Sequence, residues 1–173
     1  RLAKAMDFLQ NELNYILPEG FKDWARNDCK DYIVDLLHRP IRVCGMVKNE
    51  GEPGGGPFFV LERDGAQTLQ IIEKAQIDTK AKGQEEIFNA STHFNPVDLI
   101  CGVKDSDGKK YDLTKFVDEE AGIITSKSKD GKSLKALELP GLWNGAIFVE
   151  VPSITFNPVK EVNDLLRKEH QEK

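Results

Sequence analysis

A glycine- and proline-rich segment over residues 51–57 is the part of the sequence best able to approach a ligand closely. It contains Gly54, Gly55 and Gly56 in succession, and Lys48 precedes it. Consecutive glycines let backbone N–H groups cradle an anion. A predicted strand follows the segment, whereas a phosphate-binding loop normally leads into a helix. The segment therefore predicts either a loop that covers a ligand, with Lys48 beside it, or a purely structural turn.

A second polar segment, over residues 88–96, is dense in side-chain hydrogen-bond donors and acceptors. Asn89 and His93 lie within it, between two apolar runs. Amides, hydroxyls and imidazoles suit the recognition of sugar hydroxyl groups. The open alternative is that these side chains cap turns. Ser91 and His93 do not predict a catalytic nucleophile, because no nucleophile-elbow sequence surrounds them.

Two further candidates come late in the chain. Asn144 follows Trp143 in a glycine-containing segment, where the indole could stack on a base or sugar, or anchor a core or an interface. Lys160 falls in the first turn of a predicted final helix with Asn157 as its N-cap. A cation there opposes the helix dipole, so a bound anion would explain it. An ordinary exposed lysine is the alternative.

Carboxylates are numerous, and Glu73 is the strongest candidate among them. It follows two isoleucines in an apolar strand pattern, which predicts an inward-facing acid, and Glu138 and Glu150 also lie in apolar contexts. Most such carboxylates are solvated, and the sequence does not show two of them converging on one metal or substrate.

Composition limits the classes of function. The net charge of −5 over 173 residues argues against nucleic-acid binding, which needs a basic surface. No apolar run approaches the roughly 18 residues of a membrane-spanning helix. Three scattered cysteines without a ligand cluster predict no zinc site and favour buried thiols in a reducing compartment. We therefore expect a cytoplasmic protein without a membrane partner.

The elements that must position these residues are helices followed by strands. Hydrophobic spacing predicts amphipathic helices over residues 2–17 and 22–37 and a final helix over 157–167. Predicted strands cover residues 41–47, 58–62, 68–77, 97–103, 134–139 and 147–151. The simplest architecture is an α/β fold with a mixed sheet flanked by helices. We expect a helical lead-in over residues 1–38 and a mixed α/β domain over residues 39–173.

Several long phrases resemble one bacterial family of unknown function, DUF family 4301. The phrase over residues 42–58 resembles its carboxy-terminal third, as do the phrases over 91–98, 135–145 and 155–160. The resemblance covers about residues 39–171 and implies a longer protein, as does a sequence that opens at Arg1 inside a helical pattern. The family usually carries several more residues between Ala146 and Ile147.

More distantly, the order of motifs is similar to the sugar-binding half of UDP-sugar pyrophosphorylases. Residues 71–77, 88–94 and 156–160 resemble their motifs. By this resemblance Glu73 contacts sugar hydroxyls and Asn89 helps to hold the sugar. Lys74 and Gln76 depart from the family pattern, where a tyrosine and a glutamate are usual.

The resemblance implies the sugar-phosphate-binding portion of a nucleotidyltransferase, as part of a glycosyltransferase-A-like fold. It implies a sugar phosphate or nucleotide as ligand, Mg²⁺ as cofactor, and the amino-terminal half of the same protein as the partner that holds the nucleotide. Whether the longer protein is an enzyme stays open, and the chain alone is expected to be inactive. A non-catalytic sugar or nucleotide-sugar binding module is the alternative, and a structural or oligomerisation domain is a third possibility. The candidate residues are Lys160 as the catalytic residue that meets phosphate, Glu73, Asn89, His93 and Asn144 for substrate, and Lys48, Gly54, Gly55 and Gly56 for a phosphate or lid loop.

Overall fold

The computed structural model describes residues 1–171, except 52, 53, 79, 82, 97, 98, 118–121, 139–145, 156, 158, 160 and 161. Its α-helices are α1 (Leu2–Asn11), α2 (Arg26–Leu37) and α3 (Gln84–Asn89). Its strands are β1 (Ile41–Lys48), β2 (Gly56–Leu61), β3 (Gln67–Ile72), β4 (His93–Phe94), β5 (Leu99–Gly102), β6 (Ile123–Lys129), β7 (Lys132–Glu138) and β8 (Ala146–Glu150). Short 3-10 helices cover Phe21–Asp23, Lys74–Gln76, Leu113–Phe116, Ser153–Thr155, Val162–Leu166 and Lys168–His170. The chain is therefore mixed α/β, as the sequence predicts.

The first predicted helix is present but ends earlier than its apolar spacing suggests. Helix α1 stops at Asn11, and Asn14 adopts a left-handed backbone with φ 51°. This turn buries Tyr15 and lets Ile16 form a β-bridge with Gln67. The apolar side chains of residues 12–17 therefore enter the core or lie beside a strand rather than continue the helix: Leu13, Tyr15 and Leu17 belong to the core or pack against it, and Ile16 meets Gln67.

The helices and the β2–β3 turn enclose the main core of the described residues. Helix α2 begins at Arg26, after a 3-10 turn, rather than at the predicted residue 22. The buried cluster comprises Leu9, Leu13, Tyr15, Phe21, Cys29, Ile33, Leu36 and Ala66. Ile41 of β1 and Ile147 of β8 pack against it, so the helices fix one face of the sheet. Whether residues 1–38 form a separate unit stays a prediction.

Strand β1 is the centre of a four-stranded mixed sheet. It runs parallel to β8 over Arg42–Met46 and antiparallel to β5 over Ile41–Cys44. Its last two residues pair antiparallel with β4, so that Lys48 lies opposite His93. Strands β2 and β3 form one antiparallel hairpin, and β6 and β7 form another. The predicted strand over residues 68–77 ends at Ile72, where a 3-10 turn begins.

The carboxy-terminal helix prediction is wrong for the residues described there. Val162–Leu166 forms a 3-10 turn, and Val162 and Leu166 are among the most exposed aliphatic side chains. Helical segments this short are marginal in water unless an apolar face packs on something. No helix in the described part of the chain has the length and apolar character needed to span a bilayer.

A chain of polar side chains crosses between the sheet and the β2–β3 hairpin. The Arg42 Nη2 group donates to Gln70 Oε1 at 2.7 Å, and Gln70 Nε2 donates to Thr68 Oγ1 at 3.1 Å. Thr68 in turn donates to Glu62 Oε1 at 2.5 Å. Gln70 is 0% exposed and Thr68 is 2% exposed. These bonds satisfy polar groups that burial would otherwise make costly.

A tyrosine pair ties the helical core to the β2–β3 turn, and we expect it to make stability fall at alkaline pH. Tyr32 donates its hydroxyl hydrogen to Asp64 Oδ2 at 2.6 Å, and Tyr15 lies 3.0 Å from the Tyr32 hydroxyl. Burial raises the pKa of both phenols, and the hydrogen bond to Asp64 raises the pKa of Tyr32 further. Because the unfolded chain releases these protons near the ordinary tyrosine pKa of about 10, the free energy of unfolding should fall as pH rises above that value.

Urea unfolding at a series of pH values from neutral to strongly alkaline measures this effect. Tyr32→Phe should flatten the alkaline decline, whereas Tyr111→Phe, which removes a hydroxyl away from the pair, should leave it unchanged. A decline of equal slope in Tyr32→Phe would show that the pair is not its source.

Candidate functional site

Polar groups gather where β1 and β8 end and where β4 begins. Lys48 and Glu150 lie at the carboxyl ends of two parallel strands, and His93 opposes Lys48 across the antiparallel pair. The Asn49 N–H donates to the Thr92 carbonyl at 2.9 Å, which continues the pairing past the strand end. In open α/β sheets, ligands bind beyond the carboxyl ends of the parallel strands. This edge of the sheet is therefore the candidate site.

The three-glycine segment lies against this edge, between β3 and β4. The Gly55 carbonyl accepts a hydrogen bond from the Asn95 N–H at 2.8 Å. A Cβ atom on Gly55 would lie 3.1 Å from Glu73 Cγ, and one on Gly56 would lie 2.8 Å from the His93 carbonyl oxygen. Gly56 therefore requires glycine for close packing, whereas a Cβ on Gly55 would need its neighbours, among them Ile71 Cγ2 at 3.0 Å, to shift by a few tenths of an ångström. Gly54 is exposed and has room, with Phe94 Cδ2 at 3.6 Å from a Cβ there.

Two asparagines hold this loop in place, Asn49 through its side chain and Asn95 through its backbone N–H. Asn49 Oδ1 accepts a hydrogen bond from the Gly51 N–H at 2.9 Å, which closes a tight turn just after β1. Asn95 is 6% exposed, and its Nδ2 group donates to the Gly45 carbonyl at 2.6 Å. Asn95 therefore bonds both β1 and the glycine loop. Sequence reasoning missed this role, although an asparagine between Phe94 and a proline was a usable signal for a buried amide.

Glu73 lies beside the loop, but its carboxylate already forms a hydrogen bond within the protein. Its side chain accepts the Gln76 N–H, and the Glu73 N–H donates to Gln76 Oε1 at 2.8 Å. This reciprocal pair starts the 3-10 turn after β3. Glu73 follows the end of β3 and is exposed, so the prediction of an inward-facing acid within the strand is wrong. A ligand can reach the free lone pairs of its carboxylate. Its predicted contact with a sugar stays a prediction.

His93 is half-buried, with both ring nitrogens turned toward protein groups. Nδ1 lies 2.9 Å from Thr92 Oγ1, and Nε2 lies 3.7 Å from a Glu150 carboxylate oxygen. Nε2 is buried and makes no hydrogen bond to the described residues. A carboxylate facing Nε2 favours a proton on that nitrogen, so the Thr92 hydroxyl donates to Nδ1. Direct contact of His93 with a ligand, as the sequence predicts, would require the ring to turn away from these partners.

Helix α3 carries the remaining described candidate. Asn89 is the last residue of α3 and is exposed. The helix is anchored by Phe88, whose ring stacks on Phe58 of β2 with centroids 5.4 Å apart. Ser91 follows, and its hydroxyl donates to the His93 carbonyl at 2.7 Å. The Ser91 hydroxyl thus stabilises the turn, whereas no turn-capping bond of the Asn89 amide is seen among the described contacts.

The structure brings four of the predicted elements to one edge: Lys48, the Gly54–Gly56 loop, Glu73 and His93. Asn89 lies on the adjoining helix. Asn144 and Lys160 fall outside the described residues, and their roles stay predictions. Within the described part of the chain, no three His, Cys, Asp or Glu side chains form a metal-binding group, and the expected Mg²⁺ stays a prediction too.

Fold and site together define a mixed α/β domain with an exposed polar edge at its strand ends. The chain belongs to the family described as domain of unknown function DUF4301, whose model matches residues 1–171. That match includes the helical lead-in, which the sequence resemblance did not reach. No curated protein matches the sequence.

One solved structure that the chain resembles is a mutant of UDP-glucose pyrophosphorylase from Leishmania major. The likeness has a TM-score of 0.44 and 18% sequence identity, and it covers 95% of this chain and 38% of that chain. The chain thus spans well under two thirds of the length of that protein.

Proposed function

We propose that this chain is the sugar-phosphate-binding portion of a nucleotidyltransferase-like protein with a glycosyltransferase-A-like fold. The observation that carries the proposal is the juxtaposition of exposed Lys48 with the Gly54–Gly56 loop at the carboxyl ends of β1 and β8. An ammonium group neutralises a phosphate as a compact point charge. Glycine backbone next to it can approach the same anion without obstruction by side chains.

The sugar would lie along the other half of the edge. The Thr92 hydroxyl, the Asn89 amide and the Glu73 carboxylate are exposed or have free lone pairs there. Hydroxyl, amide and carboxylate groups together offer both donors and acceptors to sugar hydroxyls. In this arrangement His93 and Glu150 shape the floor of the site, because the ring nitrogens of His93 face protein groups.

A non-catalytic sugar or nucleotide-sugar binding module is the second candidate. The engagement of the Glu73 carboxylate in the 3-10 turn favours it, since a group committed to fold structure is less available to follow a reacting substrate. Both candidates predict binding and differ only in turnover. Formation of labelled nucleoside triphosphate and sugar 1-phosphate from a nucleotide sugar and labelled pyrophosphate, assayed on a longer natural protein that contains these residues, would separate them.

Lys48→Met is expected to weaken binding of glucose 1-phosphate by about tenfold, the effect of losing roughly 1.4 kcal/mol of charge interaction. Isothermal titration with glucose 1-phosphate, glucose and inorganic phosphate measures this. Glucose should bind more weakly than glucose 1-phosphate and should not respond to the substitution. Lys22→Met removes an exposed charge from the 3-10 turn before α2 and is the matched control. Equal affinity of Lys48→Met and the unsubstituted chain for glucose 1-phosphate would rule out the proposed phosphate contact.

A further inference from the structure

A groove of about 320 Å³ runs between α1 and α2, away from the candidate site. Its apolar lining includes Leu2 and Ala5 of α1 and Ile33 of α2. Val34 and Leu37 of α2 complete this lining and are 50% and 39% exposed. An exposed apolar concavity between two helices has the form that receives a ridge of apolar side chains.

Cationic side chains line the same groove, and no acidic side chain of the described residues does. Arg26 and Lys30 of α2 and Arg1 contribute to its lining. This is a departure from the chain as a whole, whose net charge is −5. The groove therefore combines an apolar floor with a positive rim.

Helix α2 separates its charges by face. At 100° per residue, Arg26, Lys30, Val34 and Leu37 fall on one side of the helix. Its acidic residues, Asp28, Asp31 and Asp35, are exposed and fall on the opposite side. The third side enters the core through Cys29, Ile33 and Leu36.

This separation does not serve the stability of α2 itself. Arg26 and Lys30 are like charges four residues apart, as are Asp31 and Asp35, and such pairs repel. Arg26 also lies in the first turn, where a cation opposes the helix dipole. An isolated surface helix would be more stable with opposite charges three or four residues apart. The positive side of α2 is therefore better explained by an acidic group that binds to it.

We propose that the groove between α1 and α2 docks an acidic amphipathic helix of a partner protein. The apolar side chains of the partner enter the groove at helical spacing, and its Asp and Glu side chains lie against Arg26 and Lys30. The concave shape favours a helix over a membrane surface, which would meet a convex apolar face instead. The proposal is independent of the sugar-phosphate site.

Fluorescence polarisation with a labelled amphipathic peptide of about 16 residues, long enough to form a helix on binding, tests the proposal. The peptide carries leucines at helical spacing on one side and glutamates on the other. A second peptide has lysines in place of the glutamates, and vesicles with phosphatidylserine replace the peptide in a third arm. We expect the acidic peptide to bind, with affinity falling as salt rises, and the lysine peptide not to bind.

The double variant R26E/K30E should lose about tenfold or more in affinity for the acidic peptide. The double variant K4E/K22E changes net charge equally at exposed residues outside the groove and should stay within about twofold. Glutamate at residue 26, in the first turn of α2, favours the helix, and residues 26 and 30 carry like charges before and after the change. The unfolding midpoint of R26E/K30E should therefore not fall, and a measured midpoint that stays in place separates lost binding from unfolding. Equal binding by R26E/K30E, binding of the lysine peptide as well, or attachment to vesicles without binding of the acidic peptide would each overturn the proposal.

Discussion

Gly56→Ala is expected to lower the free energy of unfolding by about 1–3 kcal/mol, the usual effect of forcing an extra carbon into a packed region. A Cβ at this position would lie 2.8 Å from the His93 carbonyl oxygen and 3.2 Å from Ser91 Oγ. The first of these atoms is backbone in β4, so it cannot swing aside as a side chain would. Gly56 does not adopt a left-handed backbone, and the effect is therefore one of space alone.

The same substitution should also weaken ligand binding at the candidate site. Relief of the clash must separate the start of β2 from β4, and the Gly55 carbonyl bonds Asn95 beside it. The loop would then move away from Lys48, so glucose 1-phosphate affinity should fall together with stability. Urea unfolding followed by circular dichroism gives the first quantity, and isothermal titration below the unfolding transition gives the second.

Gly54→Ala is the matched control for Gly56→Ala. Among the described residues, a Cβ there meets only Phe94 Cδ2, at an ordinary 3.6 Å. Gly-to-Ala changes at compatible positions alter stability by about 0.4–1 kcal/mol in the favourable direction, because they restrict the unfolded chain. If Gly54→Ala and Gly56→Ala were equally tolerated, the close approach of the loop to β4 would be refuted.

Sequence pattern predicted the elements whose signals are local. The apolar run of β1 and the Asp64–Gly65 turn are found where expected. The predictions failed where a tertiary contact decides the outcome. Residues 12–17 leave α1 because Ile16 meets Gln67, and residues 162–166 form only a 3-10 turn because nothing in the described structure buries their apolar side chains. In both cases the outcome depends on whether a distant part of the chain packs against the segment, and the residues of the segment do not reveal that.

In the candidate site, too, local features were predictable and tertiary contacts were not. Residue type and context marked Lys48, the glycine loop, Glu73 and His93 as separate candidates, because consecutive glycines and polar groups in apolar runs are visible in a sequence, and only the resemblance to known enzymes linked Glu73 to a sugar. Their partners were not predictable. The Glu150 carboxylate reaches His93 only because β8 runs parallel to β1 across a long separation in sequence, and strand pairing of that kind is decided by the whole fold. The sequence therefore indicated which chemical groups the site contains better than it indicated which protein groups they contact.

Gln70→Leu is expected to lower the free energy of unfolding by about 1.5–3 kcal/mol, the cost of breaking a hydrogen bond to a charged group. The Gln70 amide joins Arg42 of β1 to Thr68 of β3, and it is 0% exposed. Leucine fills a similar volume, so little of the loss should come from a cavity. Gln67→Leu, at a less buried position on the same strand, should change stability by no more than about 0.5 kcal/mol.

Arg42→Leu should lower the free energy of unfolding by less than Gln70→Leu does, although it removes the charged partner of the same hydrogen bond. The Arg42 Nε group is buried and has no hydrogen-bond partner among the described residues, and burial lowers the pKa of the guanidinium because it disfavours the charged form. Leucine at this position removes that unsatisfied donor along with the bond, and the two effects partly offset each other.

Arg42 and Gln70 are joined by one hydrogen bond. The effects of their substitutions on the free energy of unfolding should therefore not be additive. The variant R42L/Q70L should be more stable than the sum of the single losses predicts, by about 0.5–3 kcal/mol, since neither a stranded guanidinium nor a stranded amide oxygen remains. Urea unfolding of the four proteins in this cycle measures the coupling. Strictly additive losses would mean that the bond contributes nothing to holding the β2–β3 hairpin on the sheet.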